Sequence, residues 1–367
     1  MPRLLALVAL LVASVASRAA VLGVNYNQFF IQIDASDLRR TKATWVRGFV
    51  DYHLFRNGTY RLDSDPGLAK LANLRKSGTR VILNLKFNFQ KSDIPNTPRA
   101  IATELRYLRQ LLPRVYPLAD VLVAGNEPFI ESKPAQRDQR LVAFYIAVAN
   151  QVKAYRDRQS RSVPLYIGAF NNLWKPTWQT QAANDLLKFA QRTPWIAGVD
   201  LHIHHTELSD IDGAFEFASP RIRDDQKILC TEFSLKNLWK LHNSDPIPAI
   251  LTTQYQRPAS WKVYQYLNDT LRKPVSRDEW VAFLSGCPWF ESNKDYLTIA
   301  WRKFTGYPKF AMATYGLYQN GPKTFGPKTD PWIINPLLVN ETVVRNPNTR
   351  QFQANYMFLD EFRALQP

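Results

Sequence analysis

The chain has 367 residues, 46% of them hydrophobic, enough apolar matter for a large core; the length permits two domains, but α/β barrels of this size run as one, which is the expectation here. Two cysteines, Cys230 and Cys287, exclude a disulfide framework. The net charge of +16 raises nucleic-acid binding, yet the basic residues are dispersed, with stretches such as Arg39-Arg40 and Arg156–Arg161, and no nucleic-acid motif accompanies them, so no nucleic-acid partner is expected.

The N-terminus carries Arg3, an apolar run from Leu4 to Val12, and small residues (Ala13, Ser14, Ala16, Ser17, Ala19) that fit a signal-peptidase site. The run is too short to span a bilayer. Residues 1–19 are therefore read as a cleaved signal peptide and residues 20–367 as the mature, secreted protein, extracellular or periplasmic. No later stretch is apolar enough for a transmembrane helix, and a monomer without membrane association is expected.

After this leader, strand and helix signals alternate. Val21–Asn25 is a short apolar run ending in polar residues, as a buried parallel strand does at the rim of a sheet. A helix capped by Ser36 leads to Trp45–Val50, then Arg80–Lys86, a helix over Pro98–Leu112, and Asp120–Gly125. Ala135–Arg158 gives the longest helix, followed by Val163–Ala169, a helix over Gln181–Arg192, Ala197–His204, Lys227–Phe233 and finally Phe310–Tyr315. Eight strands separated by helices predict a (β/α)8 TIM barrel, with a doubly wound open sheet as the competing architecture. The rhythm breaks between strands seven and eight. Ser234–Lys309 is far longer than one crossover needs and holds Trp239, Trp261, Trp280, Trp289 and Trp301. A helical insert with its own core is expected there; an enlarged loop region whose aromatics stack on sugars is the alternative. The tail from Thr329 is expected to pack back on the barrel.

Catalytic groups of such barrels come from the carboxyl ends of different strands. Val121–Pro128 places Glu127 at the top of strand four, and Ile228–Phe233 places Glu232 at the top of strand seven. Period-two alternation puts Val121, Val123 and Glu127 on the inward face, and likewise Ile228, Cys230 and Glu232. Cys230 is then expected to be a buried free thiol; the alternative is a Cys230–Cys287 bridge, which export permits. Two carboxyls opposed across a barrel are what glycosidic cleavage needs: one protonates the leaving oxygen, the other attacks or stabilises the oxocarbenium-like centre. Their pKa values must differ, and neighbours decide the roles. Arg47, inward on strand two with Phe49, would keep a carboxylate ionised, and His202 and His204, both inward on strand six, would hydrogen-bond Glu232 or the substrate.

The Asn-Glu-Pro after strand four and the Thr-Glu-Phe on strand seven resemble the 4/7 superfamily of retaining glycosidases, clan A, which includes the family-five cellulases and mannanases. The resemblance implies Glu127 as acid/base, Asn126 as a contact to the sugar 2-hydroxyl, Glu232 as nucleophile and Arg47 as the superfamily's strand-two arginine. It implies a β-linked poly- or oligosaccharide substrate, with endo action suggested by an open cleft, and no cofactor or metal. The chain departs from the pattern on strand six, where His204 stands in place of the usual Tyr, and on strand eight, where Tyr315, with Trp332 further on, stands in place of the usual Trp.

Further candidates for lining a sugar cleft are Asn84, Lys86 and Asn88 at the end of strand three, and Asn25 and Tyr26 at the end of strand one. Two rival readings use the same residues. His202-x-His204 resembles a metal pair and would make the protein a metal-dependent hydrolase, although the chain has just five histidines. A non-catalytic carbohydrate-binding barrel would keep the aromatics and tolerate loss of either glutamate. The sequons Asn57-Gly58-Thr59, Asn268-Asp269-Thr270 and Asn340-Glu341-Thr342 matter only in a glycosylating host.

Overall fold

The apolar runs that end in polar residues become parallel strands, and a computed structural model, which describes residues 20–367, closes eight of them into a barrel. The leader assigned to residues 1–19 lies outside the described residues. In chain order the elements are β1 (Val21–Asn25), α1 (Ala35–Thr41), β2 (Trp45–Asp51), α2 (Tyr52–Arg56), α3 (Pro66–Lys76), β3 (Arg80–Lys86), α4 (Pro98–Val115), β4 (Val121–Ala124), α5 (Gln139–Arg156), β5 (Leu165–Asn171), α6 (Gln181–Arg192), β6 (Ile196–His204), α7 (Ser209–Ala218) and β7 (Lys227–Ser234). The insert follows as α8 (Lys236–Leu241), α9 (Ala249–Tyr255), α10 (Val263–Arg272), α11 (Arg277–Ser285), α12 (Pro288–Glu291) and α13 (Tyr296–Thr305). Then come β8 (Phe310–Gly316), the short antiparallel pair β9 (Leu338–Val339) and β10 (Gln353–Ala354), and α14 (Phe358–Ala364). Each barrel strand pairs in parallel with the next, and β8 closes on β1 with Val21 opposite Met312 and Asn25 opposite Gly316. The chain is a (β/α)8 barrel with an enlarged region between strands seven and eight.

Several boundaries differ from expectation for local reasons. The cap of α1 is Asp34, whose carboxylate accepts from the Ser36 amide; Ser36 itself lies inside the helix. Pro164 has no N–H to give the ladder, so β5 starts at Leu165. Pro134–Gln136 forms a separate 3-10 turn, so the longest outer helix begins after its Asp138 cap. β4 ends at Ala124 because the backbone leaves the extended region at Gly125 (φ +134°) and at Glu127 (φ +49°).

Burial sorts the strand residues into two layers. Trp45, Ile82, Val121, Val123, Tyr166, Leu229 and Met312 form an inner cluster made of strand residues only, while the alternate positions pack outward against the helices. The outer layer contains Ile228 and Cys230, contrary to the inward placement expected for both. Both cysteines are free and buried, so the thiol expectation holds without a bridge. In the insert, Trp239 and Trp280 are fully buried and donate their indole N–H groups to Asn335 and Asn355 of the tail, each at 2.9 Å. The insert's aromatics join the continuous core between the strands and their helices and do not form the separate core expected of them, and the tail is stitched to them by two buried hydrogen bonds.

A Cβ at Gly125 would lie 1.9 Å from the Gly168 carbonyl oxygen, and the positive φ strains any side chain there. Gly125→Ala is expected to cost about 2 kcal/mol or more, read as a lower urea midpoint.

Candidate active site

The inward face of β2 continues from Trp45 to Arg47, which the barrel buries completely. A guanidinium there must have its donors met. Nε donates to Asn84 Oδ1 (3.0 Å), Nη1 to Asn25 Oδ1 (3.2 Å) and to Glu232 Oε1 (2.5 Å), and Nη2 to Asn126 Oδ1 (2.6 Å). Asn25 and Asn84 hold Arg47 and are themselves buried; Asn25 also borders the small recess at Glu232, while Asn84 is turned to Arg47 and Asp200.

Glu232 reaches the arginine through a β-bulge. Across β6 and β7, Leu201 pairs with Cys230 and His202 with Glu232, leaving Thr231 as the extra residue. Thr231 and Glu232 thus both point inward, and the bulge explains why Cys230 faces out while Glu232 faces in. The second carboxylate oxygen, Oε2, lies 3.3 Å from His204 Nε2. His204 Nδ1 is 2.8 Å from the Ser234 hydroxyl, whose oxygen also accepts from the Lys236 amide.

Glu127 reaches the same space by the left-handed turn after β4. Its Oε1 accepts from Asn171 Nδ2 at 2.6 Å and lies 3.2 Å from His202 Nδ1; the same nitrogen is 3.8 Å from Glu232 Oε1. Ligand atoms of Glu127, His202, His204 and Glu232 all lie within 4.8 Å of one another. The sequence reading missed Asn171, which ends the apolar run of β5 and had the strand-end position as its signal. It also missed Asp200, two residues before His202 and fully buried.

Charge separates the two carboxyls. Burial pushes Glu232 up, but the charges of His202 and Arg47 and the His204 hydrogen bond outweigh it, holding the carboxyl well below the ordinary range. Burial also pushes Glu127 up, and the His202 hydrogen bond and charge bring it somewhat below its ordinary value. His202 is pulled down by burial and raised past its ordinary value by Glu232 and Glu127, whereas burial keeps His204 low.

Four convergent groups could hold a metal, but Arg47 already supplies a buried cation to Glu232. The other histidines stand elsewhere: His53 takes the Asn88 amide, His205 contacts Tyr296, and His242 stacks on Trp289. Lys86 pairs with Glu131 and sits over Phe49. Neither Lys86 nor Asn88 joins the carboxyl cluster. Tyr26 is buried against Tyr318.

Trp332 stands edge-on to His204 with ring centroids 4.8 Å apart, borders the small recess at Glu232, and carries Lys236 Nζ over its ring at 4.9 Å. Tyr315 does not serve as a platform: it is 1% exposed and its ring packs among Phe233, Tyr296 and Phe358, on the helix side of β8. The inward residue there is Thr314, bonded to the Thr231 carbonyl.

No family model matches the chain, and no curated protein sequence does. Solved structures do. A β-glucosidase from Exiguobacterium marinum is similar at 8% identity and a TM-score of 0.52, over 94% of this chain and 97% of that one. A GH2 β-galacturonidase from Eisenbergiella tayi bound to galacturonate matches at 12% and 0.51, over 95% of this chain and 52% of that one. A β-glucuronidase from an uncultured Clostridium sp. matches at 9% and 0.50, over 94% and 50%. At such identities the likeness establishes the barrel fold.

Removing one partner of a buried ion pair strands the other, so Arg47→Met is expected to cost about 3–5 kcal/mol at neutral pH. Glu232 is depressed in the native state. It therefore contributes stability above the unfolded carboxyl pKa of about 4.3, lost as pH falls through the lower native value. In Arg47→Met the native Glu232 pKa moves up toward the unfolded value, so this acid-side loss should be smaller and should end at higher pH, measured by urea unfolding across an acid series.

Proposed function

We propose that this chain is a retaining glycoside hydrolase of clan A, family-five-like in its motifs, that cleaves a β-linked glycan by double displacement. The observation that carries the reading is the Glu127–Glu232 pair, with carboxylate oxygens within 4.8 Å across the barrel mouth. Retaining enzymes hold their carboxyl groups about 5–5.5 Å apart, whereas inverting ones leave about 6.5–9.5 Å for a water. The fold shared with a β-glucosidase supports the same reading.

The roles follow from the neighbours. Glu232, kept ionised by Arg47, attacks the anomeric carbon as Glu127 gives its proton to the glycosidic oxygen; the carbon–oxygen bond to the leaving sugar breaks as the bond to Glu232 forms. In the second step the Glu127 carboxylate takes a proton from water, the water oxygen bonds the anomeric carbon, and Glu232 is released. Asn126, with Oδ1 held by Arg47, offers its amide nitrogen to the sugar 2-hydroxyl. His204 steadies Glu232, and Trp332 borders the reacting sugar. Endo action belongs to this proposal, and the size of the products released from a polysaccharide tests it. Export with removal of residues 1–19 also belongs to it, and N-terminal sequencing of the secreted protein tests that step.

A fluorinated glycoside inactivator, chosen after a screen of polysaccharides and aryl glycosides, should label the peptide containing Glu232. Glu232→Gln should abolish turnover, and Glu127→Gln should lower it by about 10²–10⁴ on unactivated glycans. Label on another peptide, inversion at the anomeric carbon by NMR, or activity lost to a chelator would each sink the reading. Glucan, mannan, xylan and galactan are distinguished by the same screen.

A further inference from the structure

Asp200 is a carboxylate sealed inside the barrel below the catalytic pair, with no solvent exposure. It accepts from the Thr231 amide (3.0 Å), the Thr231 hydroxyl (2.6 Å) and Asn84 Nδ2 (3.0 Å). A threonine hydroxyl has one proton, and against a carboxylate at 2.6 Å that proton goes to Asp200. The Thr231 oxygen then presents lone pairs to His202 Nε2 at 3.0 Å, so the ring nitrogen must be the donor. Arg47 Nη2 lies 3.3 Å from the same nitrogen; one of its N–H groups bonds Asn126 at 2.6 Å, and the other is the competing donor that a bare Nε2 would accept, so the choice rests on the shorter Thr231 contact.

We propose that Asp200 is a positioning residue for the acid/base: through Thr231 it fixes a proton on His202 Nε2, leaving Nδ1 as the nitrogen that exchanges a proton with Glu127. Nδ1 faces Glu127 Oε1 at 3.2 Å. With the proton on Nδ1, an imidazolium lies between two carboxylates. When it moves, the Nδ1–H bond breaks and a carboxyl O–H bond forms on Glu127. Both charges vanish, and Nε2–H still bonds Thr231. Glu127 becomes a neutral acid without any group in the chain Asp200–Thr231–His202 losing its partner. The other tautomer would keep Nδ1–H on Glu127 and hold that carboxyl ionised, the wrong state for protonating a leaving group.

Charged groups face the ring on both sides, and Arg47 is the one that opposes a proton on Nε2. Glu127 and Glu232 stand on the Nδ1 side, while Arg47 and Asp200, the latter 4.0 Å from Nε2, stand on the other; His204 is 6.2 Å away between centroids. The pull of the two carboxylates against burial raises the His202 pKa, consistent with a proton held in this cluster. The catalytic meaning rests on the glycosidase reading; the tautomer does not.

The test is long-range 1H–15N NMR on protein labelled at its five histidines, with His202 assigned by its loss in His202→Gln. As pH is raised until the ring is neutral, wild type should show protonated Nε2 and bare Nδ1. Thr231→Val and Asp200→Asn should shift the ring toward Nδ1–H, and Thr231→Ser should restore the wild-type pattern. If either variant fails to fold, the wild-type spectrum alone decides. Nδ1–H in wild type, or an unchanged pattern in folded Thr231→Val, overturns the proposal. On a glycan substrate Thr231→Val should also lose on the order of 10²-fold in kcat, while a 2,4-dinitrophenyl glycoside, which needs no acid, should be turned over nearly as before; equal losses on both would indicate a merely structural role. A protein inactive on every glycoside but carrying the Nε2–H signature would remove the glycosidase reading and leave the tautomer assignment standing.

Discussion

The barrel mouth is organised around one buried charge. Arg47 has no contact with water, and a guanidinium in that position is tolerable only if its donors are met and its charge is balanced. Its acceptors come from four directions: Asn25 at the end of β1, Asn84 on β3, Asn126 after β4 and Glu232 on β7. Strands distant in sequence are thereby tied to one planar group with a fixed fork of donors. The rest of the site inherits its geometry from that demand. Glu232 is ionised because Arg47 needs it, and Asn84 can hold Asp200 because its other end is held by Arg47.

Regular strands alone would not have brought the two carboxyls together. Each arrives by a local irregularity: a left-handed residue at Glu127, permitted by the turn at Gly125, and a bulge at Thr231 that lets consecutive residues of β7 face inward. Such departures cost free energy and persist where the surroundings over-determine them, which is the common condition of functional sites. In this chain the surroundings are the hydrogen bonds of Glu127 to Asn171 and of Thr231 to Asp200.

This also marks what could be read from the amino-acid sequence. The barrel was legible because eight apolar runs end in polar residues and helical segments separate them, a pattern set by burial on both faces of a parallel sheet. Glu127, Glu232 and Arg47 were legible as strand-end charges on otherwise apolar runs. The reasoning for Glu232 was nonetheless incomplete: strict alternation from Cys230 gave the right side for the glutamate and the wrong side for the cysteine, because a bulge leaves no mark in a period-two pattern. Tyr315 failed for a similar reason, since one residue of phase separates a cleft platform from the helix layer, and Thr314 holds the inward position. Asn25 and Asn84 were correctly placed at the rim, but their use depended on a guanidinium whose reach no local signal records. The buried indoles of the insert likewise depend on Asn335 and Asn355, supplied from far along the chain.

The site's asymmetry has a simple electrostatic origin. Both glutamates are buried, and burial pushes both pKa values upward. Glu232 meets the Arg47 guanidinium, a fixed cation. Glu127 meets an imidazole and a neutral amide, and an imidazole can give its proton back. One carboxyl is thus held ionised while the other shares a mobile proton, although the two belong to one cluster and differ little in exposure. The overall charge of +16 plays no part in this division: the groups that set it lie inside the barrel, where solvent screening is weak, and the surface lysines and arginines act through water. Two identical side chains are thus given different protonation behaviour by whether the neighbouring positive charge is fixed or exchangeable.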